Sequence, residues 1–232
     1  ILSIAYKHNI YEDFGSEVER ELVDIPNEVD PKELVNRRDL TNEVIFTIDG
    51  DDTKDIDDAI GIKILENGNY ELGVHIADVS HYVKENTALG DAAYERGTSS
   101  YLADTVIPMI PHKLSNGICS LNEGVIRLSM SCVMEIDHKG RVVDYDIFQS
   151  YIKSKKKMTY KKVNDVIVRG IVDPEYEPFK DDLLLMNELH QILRKEKMSR
   201  GYINFDLDEA KIVQDENGKA IDVIKRLREE GE

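Results

Sequence analysis

Polar positions dominate the first forty residues, with a few apolar ones at helical spacing. Ser16 and Glu19 match the S-x-x-E capping box ahead of Val18, Leu22 and Val23. Asp30 followed by Pro31 is the pattern of an N-cap with proline at the first helical position, and opens a short helix through Leu34. The apolar run Val44 to Ile48 is the first strong strand signal. Ala59 to Leu65 and Tyr70 to Ala77 flank Asn67-Gly68, a dipeptide that favours a tight hairpin. A helix is expected from Thr87 to Arg96, with Gly97 as its stop. Residues 101–121 carry Pro108, Pro111 and Asn116-Gly117 and read as an ordered, irregular loop. Leu128 to Ile136 and Arg141 to Tyr151 predict a second hairpin about Asp137 to Gly140. A helix from Thr159 to Gly170 follows, and then one in which Leu183, Met186, Leu189 and Leu193 recur at helical spacing up to Gly201. Tyr202 to Leu207, Ala210 to Val213 and Ala220 to Ile224 read as short strands. The class is α+β, with mixed, mostly antiparallel sheets, hairpins and packed helices.

Composition narrows the field. At 232 residues, 41% hydrophobic and 33% charged, the chain can bury a core, and disordered, collagen-like and membrane classes are excluded. No stretch approaches the ~18 apolar residues of a membrane span, and no signal-peptide core opens the chain. Cys119 and Cys132 are too few for a disulfide framework or a four-cysteine zinc site, so a cytoplasmic setting is expected. Forty-six acidic against 30 basic residues give a net charge of -16, which argues against a basic nucleic-acid-binding stripe unless several carboxylates hold cations. The chain begins at Ile1 rather than Met, which suggests a piece of something longer.

Chemistry concentrates in Asp49-Gly50-Asp51-Asp52-Thr53-Lys54-Asp55-Ile56-Asp57-Asp58, six aspartates within ten residues directly after an apolar strand. Two carboxylates ~5 Å apart at an effective dielectric of ~20 repel by roughly 3 kcal/mol. Gathering them is costly unless a cation neutralises them, and the competing reading is a solvated acidic loop. Hard oxygen ligands suit Mg²⁺, Mn²⁺ or Ca²⁺. A calcium EF-hand loop fails from either start: from Asp49, Lys54 takes the glycine position and Ile60 the glutamate position, and from Asp55, Ile60 takes the glycine position. If the segment is extended, Asp55 and Asp57 share one face and Asp58 lies on the other, so a local kink is needed for convergence. One alternative takes Asp49 to Thr53 as D-x-D-x-T, resembling the first motif of haloacid-dehalogenase-type phosphatases. Asp49 would then be the nucleophile and Asp51 the acid/base, but that fold requires alternating strands and helices around a parallel sheet.

The whole stretch, with Asp55-Ile56-Asp57-Asp58-Ala59, closely resembles the catalytic signature of the ribonuclease II/ribonuclease R family. Arg37-Arg38-Asp39-Leu40 precedes it in family order. Gly73 to Val83, Arg96 to Tyr101, Ile107 to Pro111 and Leu114 to Leu121 follow, and the block from Val74 to Val83 leans to the ribonuclease R side. Thr53 and Ile56 depart from the usual alanine and phenylalanine, and neither touches a carboxylate. The resemblance implies an RNB-type catalytic domain that hydrolyses single-stranded RNA processively from its 3′ end to nucleoside 5′-monophosphates. Mg²⁺ (or Mn²⁺) would serve as metal, without a small-molecule cofactor. It implies a metal site of Asp49, Asp55, Asp57 and Asp58, with Asp57 the carboxylate most closely tied to catalysis. It further implies base stacking by Tyr101 and Phe205, and Tyr160 near the RNA 3′ end; composition alone would make each aromatic a core residue. Residues 1–36 read as a helical lead-in and 37–232 as the first part of that domain. The family's later blocks, including a catalytic arginine, do not follow, so a poorly active piece, or a non-catalytic metal- or partner-binding one, is expected. His75, Asp78, Cys119 and Cys132 read as buried structural residues, and Lys153 to Lys157 as either a solvated turn or a phosphate contact.

Overall fold

In the computed structural model, residues 2–102, 105–203, 209–215 and 219–226 are described. The chain runs α1 (Leu2–Lys7), α2 (Ser16–Asp24), a 3₁₀ turn (Pro31–Leu34), β1 (Arg38–Asp39), β2 (Thr47–Asp49), β3 (Asp58–Ile64) and β4 (Tyr70–Ala77). It continues through α3 (Ala88–Arg96), β5 (Ser100–Tyr101), β6 (Val106–Ile107), β7 (Ile126–Ile136), β8 (Val142–Lys153) and β9 (Lys157–Thr159). Last come α4 (Tyr160–Asn164), α5 (Lys180–Ser199), β10 (Glu209–Gln214) and β11 (Ala220–Arg226). These elements form two compact units, one from the described parts of Ile1–Asn27, Val79–Ile118 and Asp206–Leu227, the other from those of Glu28–Asp78, Cys119–Phe205 and Arg228–Glu232.

In the first unit, α2 and α3 meet through Glu21, whose carboxylate accepts the Ala88 and Leu89 amides at 2.9 Å each. It thereby caps α3 from outside, while Thr87 caps it from within and Gly97 closes it. The expected capping box at Ser16 is replaced: Gly15 is the N-cap, at φ 85°, and Ser16 is already helical. The Asp13 carboxylate takes the Gly15 amide instead, at 2.7 Å. The region expected to be irregular contains a small ladder, β5 with β6, and a π-helical turn over Lys113–Ile118. Hairpin β10–β11 appears as expected. Of the strand expected over 202–207, Tyr202 and Ile203 are not in a strand and the rest lies outside the described residues.

The second unit is built on a five-stranded sheet in the order β1-β8-β7-β4-β3, antiparallel except for β1 against β8. Strand alternation divides its faces. On one face Ile62, Tyr70 and Ile136 pack with Leu189 of α5, and the Tyr70 hydroxyl donates to Glu188 of the same helix. Phe46, Met158, Val163, Val166, Tyr176 and Leu183 continue this core. The expected strand over Val44 to Ile48 is shorter, because Phe46 forms a single bridge to Ile60 before the chain turns to pair elsewhere. That crossing explains Gly61, where a Cβ would lie 2.8 Å from the Val44 carbonyl oxygen.

The opposite face is polar. His75 Nδ1 lies 2.7 Å from Ser131 Oγ, and Ser150 Oγ lies within 2.7 Å of both Ser129 and Ser131 hydroxyls. Beside this ladder Arg37 pairs with Asp78, side chains only 4% and 2% exposed. Its other nitrogen donates to the carbonyls of Ser150 and Ser129. Two sequence blocks 41 residues apart are thus joined by one buried ion pair.

Asp78→Asn leaves the Arg37 guanidinium buried without its counter-charge, and a loss of about 3–5 kcal/mol in urea unfolding is expected. A loss under 1 kcal/mol would mean water reaches the pair. Burial pushes the His75 imidazole down to about 4. As pH falls below about 6.5 the unfolded chain takes up that proton first, so the native state loses stability down to about pH 4, on the order of 3 kcal/mol in all. Unfolding at pH 7 and pH 4.5 should show this extra drop in the natural chain and not in His75→Gln.

Candidate functional site

The acidic segment leaves β2 at Asp49 and re-enters regular structure at Asp58 of β3. β2 lies parallel to β9, with Asp49 opposite Thr159. The Thr159 amide donates to the hydroxyl of the buried Tyr176 at 2.8 Å, which holds that end of β9 to the core. Between the two strands the chain makes a turn, Thr53 N to Gly50 O at 3.2 Å, and is then pinned through its backbone. Ser120 Oγ accepts the Ile56 amide at 3.1 Å and donates to the Lys54 carbonyl at 2.7 Å. The Leu121 amide donates to the Ile56 carbonyl, and the Ala77 amide to the Asp57 carbonyl, both at 2.8 Å. Lys157 Nζ donates to the Thr53 carbonyl. These bonds fix the path of the loop, with Ile56 driven into the core at 1% exposure.

Asp49 is buried, Asp55 half-buried, and Asp57 and Asp58 are exposed; Asp51 and Asp52 stand in solvent. The Asp49 carboxyl is raised to about 6, first by desolvation and then by the negative charge of Asp58, with Asp57 adding to it, while the neighbouring Thr47 hydroxyl and the Lys157 cation oppose the rise. Partial desolvation, and then Asp57, raise Asp58 as well. Asp49, Asp57 and Asp58 thus feel one another's charge. Among the described residues no group of three or more carboxylate, imidazole or thiol side chains is close enough together to hold a metal ion as it stands. Among the described residues, Asp49 Oδ2 and Thr47 Oγ1 are buried without a hydrogen bond of good geometry, although the Thr47 hydroxyl is near enough to temper the Asp49 carboxyl. A buried carboxylate oxygen left without a well-formed hydrogen bond, beside two further carboxylates, fits a hard divalent cation and no soft one.

The aromatic candidates separate. Tyr160 is half-buried and directly follows Thr159, the register partner of Asp49. Tyr101 lies on β5 in the other unit, 69% exposed. Phe205 lies outside the described residues. The lysine run serves as ties: Lys155 donates to the Thr41 carbonyl at 2.6 Å, and Lys156 pairs with Glu175 at 2.7 Å and Glu123 at 3.5 Å. His75 and Asp78 are buried on the polar face of the sheet. The Cys119 thiol is pushed up to about 12 by burial, so it is no nucleophile at neutral pH. Thr47 and Tyr176 carry no signal in the sequence that marks them for this site. Ser120 lies in the block Leu114 to Leu121 and Lys157 ends the basic run, but nothing local indicates what either holds.

An RNB domain family profile matches residues 37–232. The chain is 55% identical over 229 residues to a protein named Ribonuclease R from Thermotoga maritima, covering 97% of this chain and 32% of that one. It is 51% identical over 229 residues to Ribonuclease R 1 of Lactococcus lactis, covering 98% and 28%. The fold superposes on Mycoplasma genitalium RNase R, solved in complex with ribose-methylated single-stranded RNA, at a TM-score of 0.91 and 29% identity, over 98% of this chain and 35% of that one. The chain spans about a third of the length of these relatives.

Removing the buried charge relieves both desolvation and like-charge repulsion. Asp49→Asn should stabilise the metal-free chain by about 1–2 kcal/mol, read as a higher thermal midpoint in EDTA at pH 7.5. A lower midpoint would show that the ionised carboxylate is already well partnered.

Proposed function

The chain belongs to the RNB domain family, and on that premise we propose that it is the metal-holding part of a processive 3′→5′ exoribonuclease acting on single-stranded RNA. The observation carrying this reading is the buried carboxyl of Asp49, raised by desolvation and by the neighbouring charges of Asp58 and Asp57, with an oxygen that no well-formed hydrogen bond satisfies. Asp49, Asp55, Asp57 and Asp58 hold Mg²⁺, with Mn²⁺ able to substitute, and Asp57 is the catalytic carboxylate. A divalent cation held by these carboxylates would supply charge neutralisation and polarisation of a phosphodiester there. Asp49 and Asp58 are raised by desolvation and by neighbouring carboxylate charge, so a positive charge beside them would favour their ionised forms.

Tyr160 lies at the RNA 3′ end, and Tyr101 and Phe205 stack on bases. Stacking gives ~1–3 kcal/mol per base whatever the base, which suits an enzyme that must pass every nucleotide. The relative bound to single-stranded RNA supports this substrate class, and nucleoside 5′-monophosphates are the proposed products. Residues 1–36 act as a lead-in and 37–232 as the first part of the catalytic domain, in the cytoplasm. Because the relatives are about three times as long, turnover by this stretch alone is expected to be low. The aspartyl-phosphate alternative is disfavoured because its parallel, doubly wound sheet is replaced by antiparallel hairpins.

The test exchanges this chain for the matching stretch of the Thermotoga maritima protein and supplies 5′-labelled single-stranded RNA with Mg²⁺. Stepwise shortening from the 3′ end is expected, lost in EDTA and slowed at least 100-fold by Asp57→Asn. Undiminished shortening by that variant would remove Asp57 from its role. Phosphate release from a phosphomonoester, with an adduct trapped on Asp49, would establish the phosphatase instead.

A further inference from the structure

Ser120 is fully buried, and its hydroxyl makes both hydrogen bonds open to it with the acidic loop, one to an amide and one to a carbonyl. The neighbouring Leu121 amide adds a third bond to the same three-residue stretch, at the Ile56 carbonyl. All three bonds bear on Lys54 and Ile56, the residues on either side of Asp55. Ile56 in turn separates Asp55 from Asp57. With the Ile56 side chain held in the core, the flanking Asp55 and Asp57 are left half-buried and exposed. Ser120 is itself held: buried Arg127 on β7 donates from Nε to its carbonyl at 2.9 Å. A rigid strand thus fixes the serine, and the serine fixes the loop.

These contacts engage backbone only. They orient the aspartates without using any carboxylate lone pair, as suits groups that must remain open to a cation. A salt bridge to the same loop would hold it equally well but would occupy those oxygens.

We propose that Ser120, supported by Arg127 and Leu121, is a positioning residue for Asp55 and Asp57, and that its hydroxyl sets the divalent-cation affinity of the site. This rests on reading the aspartate cluster as a metal site. Removing an outer hydrogen-bond partner of a metal ligand typically costs 10–100-fold in metal affinity.

The probe is Mn²⁺ alone, with the free ion followed by electron paramagnetic resonance as the chain is titrated. Ser120→Ala should raise the Mn²⁺ dissociation constant 10–100-fold. Ser129→Ala provides the control, since that serine is equally buried and hydrogen-bonded but lies in the polar ladder of the sheet. It should lower the thermal midpoint and leave the Mn²⁺ constant unchanged. Equal constants in the natural chain and Ser120→Ala would overturn the positioning role. So would an equal loss of affinity in both variants, because that is the signature of general destabilisation. If the natural chain itself takes up no Mn²⁺, it is the metal reading that fails. Should Ser120→Ala not fold, Ser120→Cys, with its weak thiol donor, serves in its place, and an unchanged constant there also overturns the proposal.

Discussion

Negative charge held out of water at the end of β2 is the constraint around which the second unit is arranged. The Asp49 carboxylate is buried and raised by desolvation and by the like charges of Asp58 and Asp57. Left to itself, such a segment would swing into solvent. It is retained by neutral contacts to the backbone: the Ser120 hydroxyl, the amides of Leu121 and Ala77, and the parallel pairing of β2 with β9. Lys157 is the one cation that tempers Asp49, and its ammonium also donates to the Thr53 carbonyl. The scaffold resists repulsion without fully neutralising it, so the site keeps an excess of negative charge.

The sheet beneath shows a related division. Its apolar face is covered by α5, while its polar face carries the serine ladder and the Arg37–Asp78 pair. A buried ion pair adds little net stability over a well-packed apolar alternative, yet breaking it is expensive. Its effect here is to tie β1, at the sheet edge, to the residue that follows β4, so the chain can enter the sheet in one register. Rigidity at that edge passes along β8 and β7 to Arg127 and Ser120, and from there to the acidic loop.

Net charge and function are reconciled by position rather than by composition. An excess of acidic residues appears unsuited to RNA, and the lysines that could offset it next to β9 are engaged in ties to Thr41, Glu123, Glu175 and Thr53. Stacking on exposed aromatic surface and cation-bridged contact with phosphate need no basic stripe, and those are the modes the family reading assigns to this stretch.

Local chemistry made much of this legible beforehand. The Asn67-Gly68 hairpin, the Asp30-Pro31 cap and the Gly97 stop each depend on residues within a few positions of one another, and each stands as the sequence implies. The capping box at Ser16 misled because a glycine and an aspartate just upstream offered the helix a competing start. What the amino-acid order could not disclose is which carboxylate is buried and what holds the loop. Ser120 reaches Ile56 across 64 positions, Lys157 reaches Thr53 across 104, and Arg37 reaches Asp78 across 41. Those partners are chosen by strand register and burial, which arise only when distant segments pack together. The sequence therefore determined that clustered aspartates follow an apolar strand, and the tertiary structure alone decided that Asp49 loses its water and that a buried serine sets the direction of the rest.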